Sequence, residues 1–185
     1  MDIKDFLPQM RRMIQGPLDY TMLDALGESS ILFCKNAQIL RESSTIASAA
    51  VGDKHTIVST NATLKPWGTV TVFTEEGELK RGRDYTQASR SEIVFNVRLK
   101  NVTVVAYFYP TDKAQLPDVL EEYKKGICAG AASELYVMPM KEWTDPQRAD
   151  FYSKDFVTAY RAAWREVEND FGNFQNPTPK TDYWC

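Results

Sequence analysis

Residues 101–109 read NVTVVAYFY, and a proline follows at 110. β-Branched and aromatic side chains fill the run, which suits a pleated, half-buried strand. Pro110 closes it, because proline has no N–H to give to a strand ladder. Read as a strand, this stretch divides the chain: helical periodicity lies on both sides of it.

Moving outward from it, TVTVF (69–73) sets Val70 and Val72 against threonines, and EIVF (92–95) has the same β-branched and aromatic character. Glu76-Gly77, Gly82 and Lys100-Asn101 supply turns between them. An earlier strand is expected near HTIVST (55–60). Residues 55–110 therefore read as a small antiparallel β domain.

Before this domain, Asp2 to Met13 reads as a short helix with Phe6, Leu7, Met10 and Met13/Ile14 on one side, ended by Gly16-Pro17. A second helix from Leu18 places Met22, Ala25/Leu26, Phe33, Ala37 and Leu40 at spacings near three and four. Gly27, Ser29 and Ser30 weaken its middle and allow a break there. SSTIASAAVGDK (43–54) reads as a linker or turn region.

After it, Leu116, Val119/Leu120, Tyr123, Ile127, Ala131, Leu135 and Met138 form an amphipathic face that stops at Pro139. Ala149, Tyr152, Phe156, Tyr160, Ala163/Trp164 and Val167 form the next, and the short connection makes the two helices antiparallel. QNPTPKTDYWC (175–185) has no periodicity and reads as an extended arm. The expected fold class is α+β. A helical bundle is drawn from both chain ends (1–54 and 111–175), a small antiparallel β domain is inserted (55–110), and a C-terminal arm follows (176–185).

Composition narrows the function classes. The 185 residues are 43% apolar and 12% aromatic, enough for a real core. Net charge is −3 and the pI is near 5.3, so the basic footprint of a dedicated nucleic-acid binder is missing. Cys34, Cys128 and Cys185 have no metal-ligand spacing, which argues for reduced thiols and against a structural zinc site. The first residues lack the apolar core of a secretion signal, and no run of about 18 apolar residues is present. The expectation is a chain without a membrane partner or a cofactor.

Within EWTDPQRADFY (142–152), Glu142, Asp145 and Asp150 form a candidate carboxylate cluster. The other reading is a helix start. Thr144 or Asp145 caps free N–H groups, Pro146 takes the first turn, and Gln147 completes a capping box with Thr144. Five residues are about 140° of helix, so Asp145 and Asp150 do not share a face. The capping reading is preferred, with Trp143 packed back on the hairpin. His55 is the only histidine and stands in a polar stretch without a nucleophile elbow. The glycines of KGICAGAA (125–132) suit close helix packing better than phosphate binding. Lys80, Arg81 and Arg83 form either a solvated hairpin tip or a contact with an acidic partner or DNA. Tyr160 and Trp164 read as core. Tyr183 and Trp184 have no evident core to join and suit insertion into a partner subunit. No catalytic, cofactor-binding or metal-ligating set emerges, so a non-enzyme is expected.

LPDVLEEYKKGICAGAASELYVMP followed by WTDPQRADFYSKDFVTAYRAAWREVENDFG resembles the C-terminal half of tailed-bacteriophage head-to-tail adaptor proteins. The likeness is strongest over residues 116–172 and extends to GELKRGRDYT…SEIVF…VTVVAYFYP, which resembles β modules of phage neck and tail proteins. It implies a structural virion neck protein, assembled in the host cytoplasm, that joins the portal to the tail and extends the DNA channel. Its partners would be the portal protein, neighbouring copies in a ring of about twelve, a tail nozzle or tail-tube protein, and double-stranded DNA in non-specific passage. The arm residues Asn176, Pro177, Pro179, Tyr183 and Trp184 are the implied portal-docking set. A head-closure or tail-completion protein is the nearest alternative. From another class, a carbohydrate-binding β module on a helical scaffold is the alternative; it would expose Tyr107 and Tyr109 on one sheet face.

Overall fold

Helix and strand periodicities alternate along the chain, and the computed structural model, which describes residues 1–171, is α+β accordingly. The arm residues at 176–185 lie outside the described residues. Four α-helices are present among those described: α1 (Leu7–Met13), α2 (Asp19–Ala37), α3 (Lys124–Tyr136) and α4 (Pro146–Phe171). The pairings between the described strands are all antiparallel. β1 (Arg41–Ala49), β7 (Leu99–Pro110), β3 (Leu64–Thr74) and β4 (Gly77–Glu78) make one sheet in that order. β2 (Lys54–Thr56), β6 (Glu92–Phe95) and β5 (Tyr85–Ser89) make the other.

β7 contains the run NVTVVAYFY and lies inside the larger sheet, between β1 and β3. Val102, Val104, Ala106 and Phe108 alternate into the core, as a period of two requires. α2 packs on this strand, and the buried residues of helices and sheets form one contiguous cluster. The Tyr85 hydroxyl donates to Val70 O at 3.3 Å, and the Gln87 side-chain amide donates to Gly68 O. These two bonds tie the smaller sheet to the larger one.

The strand region begins at Arg41, which corrects the reading of 43–54 as a linker. RESSTIASA pairs with β7 from Arg41↔Tyr107 to Ala49↔Leu99. Most of its side chains are exposed, because β1 is an edge strand, so polar serines replace the apolar alternation that would have marked it. β3 starts earlier than TVTVF, at Leu64, and passes Pro66 at a register shift between Pro66 and Val70. A strand tolerates proline at such a bulge.

α2 is unbroken at Gly27, Ser29 and Ser30. The Ser30 hydroxyl donates to Leu26 O and the Ser29 hydroxyl to Ile127 O on α3, both at 2.7 Å. Tertiary packing therefore overrides weak propensity there. The helix ends where Gln38 adopts φ 54° and its N–H donates to Cys34 O. Leu40 consequently lies beyond the helix, where its carbonyl accepts from the Phe108 N–H. The helix expected over 116–138 is split: a 3-10 turn at Asp118–Glu121 precedes α3. The N-terminal segment packs on α3, where the Cys128 thiol lies 3.8 Å from Phe6 O and the Tyr136 hydroxyl donates to Met13 O at 2.9 Å.

Candidate functional site

The carboxylates of EWTDPQRADFY do not converge. Asp145 Oδ1 accepts from the N–H groups of Gln147 (3.0 Å) and Arg148 (3.1 Å), the bonds of a helix N-cap. Pro146 is the first residue of α4. Asp150 pairs with Lys154 at 2.6 Å one turn on, and Glu142 is exposed. Among the described residues no group of three or more metal-ligating side chains is gathered.

Thr144 has a different job from the capping box expected of it. Its hydroxyl donates to Met138 O at 2.5 Å and accepts from the Lys141 N–H at 3.1 Å. It fastens the α3–α4 loop and leaves the helix end to Asp145. Trp143 packs across Gly16, where an added Cβ would lie 2.9 Å from the indole, so the loop is pinned to the α1–α2 turn. Gly16 has φ +111°, a conformation that favours glycine for a second reason. The buried indole N–H has no hydrogen-bond partner among the described residues.

The basic cluster is partly structural. Arg83 donates twice to the carboxylate of buried Asp84, at 2.8 Å each, and the Lys80 N–H donates to the same group. The Arg83 guanidinium, followed by that N–H, holds the Asp84 carboxyl below its usual range. Lys80 and Arg81, exposed like Arg83, make no ion pair with a described residue. Asp84, which organises this loop, carried no signal in the sequence beyond its neighbours.

His55 lies on β2 with Nε2 3.1 Å from the Ser44 hydroxyl, and partial burial lowers its pKa. Cys34 and Cys128 are buried, which pushes each thiol up to about 12 and keeps it protonated at neutral pH. Tyr107 is only 7% exposed, and Tyr109 is half-buried against Trp67 and beneath the Lys35 ammonium. The two tyrosines therefore form no open platform of the kind a sugar-binding sheet presents.

The glycines of KGICAGAA sit at helix contacts. A Cβ at Gly126 would collide with Ala159 Cβ, and one at Gly130 with Ser29 and the Phe156 ring. Tyr160 packs edge-on to Phe156, but Trp164 is 43% exposed and does not join the core expected of it. The portal-docking candidates Asn176, Pro177, Pro179, Tyr183 and Trp184 lie outside the described residues.

Two surfaces escaped the sequence reading. A groove of about 420 Å³ runs where α2, α3 and α4 meet, lined among others by Glu28, Leu32, Lys35, Gly130 and Glu134. Glu28 and neighbouring Asp24 share Lys113, at 2.6 and 3.2 Å. Desolvation, then repulsion from Glu28 and Asp24, raises the Glu134 carboxyl, and Lys113 only partly opposes this. The second surface is the outer side of α4. At about 100° per residue, Lys154, Thr158, Arg161 and Arg165 form a stripe opposite buried Phe156 and Ala163. Arg161 and Arg165 are exposed and make no ion pair with a described residue.

A scan against protein-family models and a search of curated proteins each returned no match.

Proposed function

We propose that the chain is a structural subunit of a tailed-phage neck, in which copies form a ring between portal and tail and prolong the DNA channel. The observation that carries the reading is the set of large apolar side chains standing out of the helical surface. Phe151, 58% exposed, and Trp164 project from α4, and Leu32, 50% exposed, projects from α2. These side chains stand on separate parts of the helical surface, and each is apolar area that a neighbouring subunit would cover. α4, 26 residues and so about 39 Å long, is a rigid element on which to present it. The resemblance of residues 116–172 to head-to-tail adaptors supplies the particular assembly. The large share of helix favours an adaptor over a mostly β head-closure or tail-completion protein.

In this reading the portal partner is engaged by the arm from Asn176 to Trp184, and the ring's outer end receives the nozzle or tail tube. DNA slides through without sequence contacts, which a mildly acidic subunit assists because it offers few phosphate-binding cations. The test is co-sedimentation with a purified portal ring, using the full chain and one lacking 176–185. The full chain should pellet with the portal, and the truncated chain should lose most of that binding. A full chain that stays in the supernatant contradicts the reading, whereas undiminished binding of the truncated chain removes only the arm from it.

A further inference from the structure

The two surfaces on the helices carry opposite charge and involve different faces of α4. The groove holds Glu28 and Glu134 with Asp24 beside them, against one shared cation, Lys113. Its other cation, Lys35, is turned over the Trp67 and Tyr109 rings, 4.5 and 4.4 Å from their centroids. The acids therefore outnumber the cations free to answer them. The stripe on α4 offers the reverse: Arg161 and Arg165 without a described counter-ion, Lys154 held by Asp150, and exposed Phe151 at its edge.

We propose that the α4 stripe of one copy docks in the α2–α3–α4 groove of the next, with Arg161 and Arg165 facing Glu28 and Glu134. Charge complementarity selects the occupant. A second copy necessarily brings the stripe that the groove lacks. Like-on-like contacts, stripe on stripe or groove on groove, are repelled. A stripe-in-groove contact made once with each neighbour is heterologous, the kind that propagates and closes into a ring when the rotation allows, whereas the same contact made reciprocally by two copies would stop at a dimer. Leu32 gives the groove an apolar strip against which the arginine stems and Phe151 pack. The raised Glu134 carboxyl fits this picture, because an approaching arginine relieves the repulsion it bears in the free subunit.

The inference deepens the ring reading, but its test needs no portal. One variant carries R161E and R165E, the other E28K and E134K. By sedimentation velocity, each alone should associate at least about tenfold more weakly than the native chain. An equimolar mixture should recover association, since each variant then supplies the face the other repels. In a Cys185→Ser background, mixed Leu32→Cys and Thr158→Cys chains should form the 32–158 disulfide in excess over either homodimer. Unchanged association of the reversed variants, a mixture no better than its parts, or no mixed disulfide overturns the docking. Docking through these faces in a chain that never binds a portal preserves this inference and defeats the neck assignment. A portal-bound ring indifferent to the reversals does the opposite.

Discussion

At the scale of single residues, steric room decides more than chemistry. Gly130 and Gly27 both lie within helices, but different atoms face them. A Cβ at Gly130 meets the Phe156 ring and Ser29, which are fixed in the core, more closely than one at Gly27 meets Lys113, whose Cβ and Cδ would lie 2.9 Å away. Replacing glycine by alanine in a helix gains up to about 1 kcal/mol of propensity. Overpacking at a fixed contact costs about 1–3 kcal/mol. Gly130→Ala should therefore lower stability in urea denaturation by more than Gly27→Ala does. Asp145→Ala should cost about 1 kcal/mol, the usual loss of an N-cap, with an unaltered circular dichroism spectrum. Asp145 was legible in the sequence because Asp-Pro before a periodic run is a local signal. Thr144 was misread because its partners, Met138 and Lys141, belong to a loop whose path no local rule gives.

At the scale of elements, burial follows the helix period, but the width of the buried face does not. α4 buries Ala149, Phe156 and Ala163 and leaves Trp164 outside. Phe156→Ala should cost about 3–5 kcal/mol in urea denaturation, whereas Trp164→Ser should stay within about 0.5 kcal/mol. Equal losses would place Trp164 in the core after all. Adjacent apolar residues such as Ala163 and Trp164 both satisfy a spacing rule, and only the packing of α3 decides which one is buried. The same limit hid β1. A strand reveals itself through one buried face, and RESSTIASA, at a sheet edge, buries little beyond Ala49. β7 sits between two neighbours with its core face covered, so its composition alone identified it.

At the scale of the whole molecule, the α+β class was legible because the period changes from near 3.6 to 2 and back along the chain. The groove was not, since its Glu28 and Glu134 come from helices about a hundred residues apart and meet only through packing. In the proposed ring, the subunit's outward faces matter more than any pocket chemistry. The most direct measurement is electron microscopy of the purified chain bound to a portal ring. The predicted image is a closed ring of about twelve copies, coaxial with the portal and open at its centre. Monomers scattered on the portal, a ring with a blocked centre, or portals left bare at saturating chain would contradict it.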